Sequence, residues 1–201
     1  MSPRPDVSLE RQEQILDAAE KVFSERGLSG ARMDDIVEES GLSKGALYWY
    51  YKSKDAVILA LMERILEREL RQAAKLVESP GTAGERLQSL MRLALADIAD
   101  LGRLLPLAYE FLAMASRSSS VRQAMATYYQ RYAKLLSELI QQGIDSGEFA
   151  ELDVEQAALS VIALAEGLAL VWFAASDRRN LRDLGVAPME ALLNGFRARS
   201  T

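Results

Sequence analysis

Apolar residues recur at three- and four-residue steps along nearly the whole chain, while Gly and Pro cluster at the breaks between these runs. That period gives each run one apolar helical face, and no run alternates at a period of two for long enough to make a strand. The chain is therefore expected to be all-α, with nine helices. The first, over residues 8–26, carries Ile15, Ala18, Ala19, Val22 and Phe23 on one stripe. Ser8 is placed to cap its start and Gly27 to end it. Helices are expected next over 33–40, 44–50, 54–78, 83–101 and 104–116, the last with Pro106 in its first turn, where Pro is tolerated. Three more follow over 121–145, 153–175 and 189–197, with a polar loop over 177–185.

Composition narrows the chemistry. With 201 residues, 49% hydrophobic and 26% charged, the chain suits one large or two small soluble globular domains. It has no Cys and no His, which excludes disulfides, thiolate or imidazole metal sites, Cys nucleophiles and His-based triads. Carboxylates do acid–base work without either residue. Here, however, no carboxylate pair recurs at a spacing that forms an obvious cleft, and no Gly-rich phosphate loop is present. Neither an enzyme nor a cofactor is expected. Residues 1–11 are polar, hold Pro3 and Pro5 and lack an apolar core, so a signal peptide is not expected and the cytoplasm is the anticipated compartment.

Residues 33–51 read as short helix, glycine turn, short helix. In a helix-turn-helix the second helix enters the DNA major groove and its first residues meet base edges. Those residues are Ser43, Lys44, Gly45, Ala46, Tyr48, Trp49 and Tyr50, with Leu42 and Leu47 facing inward. Lys52 and Lys54 follow at the start of the next helix, positioned for phosphate. A plain αα-hairpin has the same spacing, but it leaves four consecutive aromatics, Tyr48 to Tyr51, unexplained beside two lysines. Spacing alone leaves both readings open.

The run Gly41-Leu42-Ser43-Lys44-Gly45-Ala46-Leu47-Tyr48-Trp49-Tyr50-Tyr51-Lys52-Ser53-Lys54-Asp55 resembles the signature of the TetR family of transcriptional regulators. So do Ile15 to Ala19, Val22-Phe23, Gly27 and Asp35-Ile36. The resemblance is dense over residues 11–60; beyond it only the layout is similar, with long helices, a Gly147-Glu148-Phe149 turn and an apolar Glu166-Gly167-Leu168 helix. It implies an N-terminal three-helix helix-turn-helix DNA-binding domain (1–53) and a C-terminal helical effector-binding and dimerisation domain (54–201). It also implies DNA contacts at Ser43, Lys44, Gly45, Tyr48, Trp49, Tyr50 and Lys54. Two departures stand out. Tyr50 replaces a frequent His, and Ala31-Arg32 replaces the usual Ser or Thr cap of the second helix, leaving Arg32 for a longer-reach phosphate contact.

Charge opposes this reading in bulk. Residues 1–55 hold 8 Lys and Arg against 11 Asp and Glu, a net of −3. Lys44, Lys52 and Lys54 nevertheless gather at the expected DNA face, and fields act locally within a Debye length of ~8 Å. Weak non-specific binding is expected, with reliance on specific contacts and dimerisation.

Residues 157–175 are apolar apart from Ser160, Glu166 and Gly167. The length approaches the ~20 residues of a membrane span, but Glu166 at mid-span carries a cost of a few kcal/mol in lipid. A helix buried in protein, with no membrane partner, is the expectation. One face serves the core; the other, with 188–196, serves a homodimer through Val161, Leu164, Leu168, Val171, Met189, Leu192, Leu193 and Phe196. A two-fold dimer sets its recognition helices ~34–36 Å apart or somewhat more and reads double-stranded palindromic operator DNA. The resemblance further implies a pocket, with Leu105, Tyr109, Met114, Met125, Tyr128, Tyr129, Tyr132, Glu166, Trp172 and Phe173 on its walls. Ordinary core packing accounts for any one of these. A buried carboxylate at Glu110 or Glu166 either balances a cationic lipophile or bonds a tyrosine or an N–H. The expected function is a ligand-responsive repressor, released from its operator by a hydrophobic or aromatic small molecule. The alternative is a small-molecule-binding helical protein with a vestigial helix-turn-helix.

Overall fold

The computed structural model describes residues 5–100, 105–175 and 184–197, without the side chains of 5–6, 97–100 and 105–107. Nine helices lie among the described residues: α1 (Pro5–Gly30), α2 (Met33–Ser40), α3 (Lys44–Tyr50), α4 (Lys54–Val77), α5 (Ala83–Asp100), α6 (Leu105–Met114), α7 (Ser119–Asp145), α8 (Val154–Ala174) and α9 (Val186–Phe196). No strand occurs among these residues, only an isolated bridge between Phe149 and Arg197. The all-α expectation stands. The expected end of the fifth helix at 101, the start of the sixth at 104 and most of the 177–185 loop lie outside the described residues.

Three boundaries differ from expectation by more than two residues. The chain is already helical from Pro5, whose fixed φ suits a first turn, so Ser8 sits inside α1 and does not cap it. Gly27 leaves helical geometry (φ 71°, ψ 166°), yet one further turn follows, closed by Ala31 N–H on the Gly27 carbonyl at 3.3 Å. The last helix begins at Val186 rather than at 189, so Pro188 falls within its first turn.

The chain divides into two compact units. Unit 1 comprises Met1–Glu67 and Gly102–Met125; unit 2 comprises Arg68–Leu101 and Ala126–Thr201. Helices α4 and α7 each contribute residues to both.

In unit 1, Ile15, Ala19, Phe23, Ile36, Leu47 and Val57 are fully buried in one core. Helix α4 is pinned to α1 by Arg64. Its guanidinium donates to Glu13 at 3.0 Å, Asp17 at 2.6 Å and Glu20 at 2.7 Å. Positions 13, 17 and 20 share one helical face, which is why a single side chain reaches all three. Glu110 of α6 accepts the Leu28 N–H at 3.1 Å, just past the Gly27 break. The expected choice for Glu110 thus resolves in favour of the backbone N–H.

In unit 2, Leu87, Leu95, Leu139, Ile140, Ala158 and Met189 form a second core. Glu148, in the Gly-Glu-Phe turn, accepts from Thr82 Oγ1, Ala83 N–H and Gly84 N–H, closing the start of α5. Asp153 caps α8 through the Glu155 and Gln156 N–H groups.

Candidate nucleic-acid interface and effector unit

The α2–turn–α3 segment is held by local chemistry. Gly41 adopts φ 65°, a left-handed conformation that a β-carbon would strain, and its N–H bonds the Glu38 carbonyl. Ser43 Oγ then accepts the Ala46 N–H at 3.2 Å and caps α3. At the start of α2 the hydroxyl cap is replaced from the other side. The Asp35 carboxylate accepts the Arg32 N–H at 2.7 Å, one half of a capping box, and also takes the Arg26 guanidinium at 2.6 Å.

This frame sorts the expected DNA-contact residues. Leu47 is fully buried and Leu42 packs beside it. Tyr48, Tyr50 and Tyr51 each give part of their ring to the unit 1 core, whereas Trp49 is 55% exposed. Trp49 stands edge-on to Tyr50 with centroids 4.6 Å apart. Ser43, Lys44 and Gly45 are exposed, and a β-carbon on Gly45 would meet nothing within 4 Å. Arg32 is exposed at the neighbouring start of α2.

The lysines are all engaged within the protein. Lys44 pairs with Asp34 of α2 at 2.7 Å, and this bond raises the lysine above its ordinary pKa. Lys52 Nζ donates to the Tyr48 carbonyl at 2.8 Å and to that of Trp49 at 3.3 Å, at the carbonyl end of α3. Lys54 Nζ donates to the carbonyls of Leu28 at 2.7 Å and Ala31 at 3.0 Å. Neither Asp34 nor the carbonyl acceptors stand out in the sequence, because one acidic residue among four in α2 carries no mark of its partner.

The expected effector residues separate by unit. In unit 1, Met114 is buried in the core, Met125 packs on it and Tyr109 is half-buried; the Leu105 side chain is outside the description. In unit 2, Tyr128, Tyr129 and Tyr132 form one cluster. The Tyr128 ring lies edge-on to Tyr129 at 5.2 Å and stacked with Tyr132 at 5.9 Å. Tyr128 OH donates to Glu69 at 3.0 Å, and Tyr129 OH donates to Glu166 at 3.0 Å. Burial, reinforced by Glu69, pushes the Tyr128 hydroxyl far above the usual tyrosine range; burial and Glu166 do the same for Tyr129. Glu166 takes the tyrosine option of the two foreseen, but it lies exposed rather than buried as expected, and Glu69 is a partner the sequence reading missed. Trp172 packs against the unit 2 core, and Phe173 is 47% exposed.

Of the expected dimer residues, Val161, Met189, Leu193 and Phe196 are buried in unit 2's own core. Leu164, Leu168 and Leu192 are half-buried, and Val171 is 65% exposed. Other exposed apolar side chains on α8 are Leu159 and Leu170.

Comparison with known proteins decides the family. Residues 15–61 match the family described as bacterial regulatory proteins, tetR family; residues 83–196 match the BetI-type transcriptional repressor C-terminal family. The chain belongs to the TetR family. This TetR-family chain is 36% identical over 141 residues to the HTH-type transcriptional regulator YfiR of Bacillus subtilis, covering 69% of this chain and 68% of that one. It is 24% identical over 184 residues to the fatty acid metabolism regulator protein of the same species, covering 91% and 94%. Among solved structures it is similar to a TetR transcription regulator from Haloarcula marismortui, with a TM-score of 0.85, 21% identity and coverage of 94% and 99%. It is also similar to FadR from Bacillus subtilis in complex with stearoyl-CoA, with a TM-score of 0.79, 23% identity and coverage of 92% and 99%. A third neighbour is a transcriptional regulator from Saccharomonospora viridis in complex with choline, with a TM-score of 0.82, 21% identity and coverage of 94% and 99%. At these identities the structural likeness carries the fold; the family matches carry the function. The chain is a DNA-binding transcriptional regulator of the TetR family.

Proposed function

We propose that the protein is a homodimeric repressor that reads a palindromic operator through α3 and releases it when a hydrophobic or aromatic small molecule binds. The observation that carries this reading is the division of α3 into two sides. Leu47 and parts of Tyr48 and Tyr50 anchor it to the core, leaving Ser43, Lys44, Gly45 and Trp49 exposed as one reading edge, with Arg32 beside them for phosphate. A vestigial helix-turn-helix has no need of this exposed edge.

Effector binding is supported by the tyrosine–carboxylate cluster of unit 2 and by neighbours whose structures hold stearoyl-CoA and choline. Helix α4 runs without a break from unit 1 into unit 2 and is the proposed lever. An effector releases DNA only through its differential affinity for the conformation that fits the operator poorly. The dimer is proposed to form on the exposed apolar side of α8, at Leu159, Leu170 and Val171. Helix α8 is long and apolar enough to cross a membrane, but Glu166 lies within it, and a second copy covers such a face without burying that charge in lipid.

Selection of fragmented genomic DNA by the purified protein, at physiological salt with excess competitor, tests the reading. Enrichment of fragments sharing a palindrome is expected, and Trp49→Ala should abolish that enrichment without lowering thermal stability. A panel of apolar and aromatic compounds should then reveal ones that lower operator affinity. Absence of any enriched sequence, or equal operator affinity with and without every compound that binds, would overturn it.

A further inference from the structure

We infer that Asp34 is a specificity-determining residue: it withholds Lys44 from non-specific DNA, so that this lysine reaches phosphate only in the closely docked operator complex. This inference rests on the placement of the reading edge proposed above. Asp34 and Lys44 lie on the two helices of the helix-turn-helix, and their charged atoms meet at 2.7 Å. Both side chains are well exposed, at 69% and 62%. An exposed pair of this kind is weak and exchangeable. Its carboxylate competes with phosphate for the lysine, and only a phosphate held close by displaces it.

The surroundings make this one pair matter. Non-specific affinity comes almost wholly from Lys and Arg on phosphates, each neutralised phosphate releasing counterions. Residues 1–55 carry a net charge of −3, from 8 basic and 11 acidic residues. Lys52 and Lys54 are already donating to carbonyls at the ends of α3 and α1. Among the described residues, Lys44 is therefore the lysine of this edge paired with a side chain that can swing away, and Asp34 sets when it does so. On random DNA the protein docks loosely and the Asp34–Lys44 pair persists. On the operator, base contacts by α3 hold the backbone close enough for a phosphate to replace Asp34.

The test measures the salt dependence of binding for wild type, Asp34→Asn, Lys44→Ala and the double variant, on random duplex DNA and on an operator fragment from the genomic selection. For random DNA, Asp34→Asn is expected to steepen the slope of log K against log salt by about 0.9, the contribution of one phosphate. The same slope change raises affinity about fivefold at 0.15 M relative to 1 M salt. On the operator the slope should stay as in wild type, so the ratio of operator to random affinity falls. In the Lys44→Ala background the Asp34 substitution should change neither slope, because the effect acts through that lysine. Glu151→Gln, the same charge change on an exposed position of unit 2, serves as the control and should leave the random-DNA slope unaltered. The inference is overturned by an unchanged random-DNA slope, by equal steepening on both DNAs, or by an Asp34 effect that survives the loss of Lys44. Failure of wild type to bind any DNA would instead overturn the proposed reading edge.

Discussion

Tyr128 donates its hydroxyl to Glu69 inside unit 2, and Tyr129 donates to Glu166. A phenolate at either position would lose its hydration and face a carboxylate at hydrogen-bond distance, so burial first and the carboxylate second resist ionisation. The consequence for stability has a definite sign. The folded-state pKa lies above the ordinary value of 10.0, so the folded protein keeps a proton that the unfolded chain has lost. This contribution is complete below pH 10 and is lost progressively as pH rises above it. In urea unfolding at a series of alkaline pH values, Tyr128→Phe is expected to lose stability less steeply above pH 10 than wild type; parallel losses would show that the hydroxyl is not held as described. At this scale the sequence marks one member of each pair. A partly buried carboxylate within an apolar helix, such as Glu110, demands a partner, whereas Glu166, though exposed, still stands out against its apolar neighbours. Nothing in the one-dimensional pattern separates Glu69 from its charged neighbours in α4, or names Leu28 N–H as the donor to Glu110.

Helices α2 and α3 have the bounds that the sequence predicts, 33–40 and 44–50, because their punctuation is local: the left-handed Gly41 and the Ser43 cap act within three or four residues of the break. The starts of α1 and α9 come earlier than the expected 8 and 189, since a cap or first-turn residue permits a helix start there without excluding an earlier one. Attachment of one helix to another is a different matter. The three carboxylates on one face of α1 are visible in the sequence as a charged surface, and only the fold brings Arg64 to them, 51, 47 and 44 residues away. Arg64 is one-fifth exposed, between a surface pair and a buried one. Arg64→Met should therefore lower unfolding stability by about 1–2 kcal/mol at low salt, and by less in high salt, by comparison with surface and buried pairs. A denaturation series in rising salt checks this, and a salt-independent loss would assign Arg64's contribution to packing rather than charge.

For the whole molecule, the deciding surface is the side of α8 left uncovered by its own chain. Val171 is 65% exposed, Leu159 55% and Leu170 52%. Val171→Glu places a charge on that surface without disturbing the unit 2 core. Sedimentation at micromolar protein is expected to show wild type as a dimer and this variant as a monomer. Operator affinity should fall roughly a hundredfold as each half-site is held alone; a persistent dimer would move the interface elsewhere. The sequence by itself determined the helical class, the helix-turn-helix and its family, because these depend on periodicity and on cap and turn residues that act over a few positions. It also marked α8 as apolar on more than one face. Only the tertiary structure decided which face is which. Met189, Leu193 and Phe196 are as apolar in sequence as Leu159 and Leu170, yet the first three are enclosed by unit 2 and the last two are not. The same holds for the lysines of the proposed DNA edge, which sequence shows as equal cations and the fold distributes among Asp34 and two helix ends. Burial and pairing depend on what distant segments bring within a few ångströms, and that distance is not written in the local pattern.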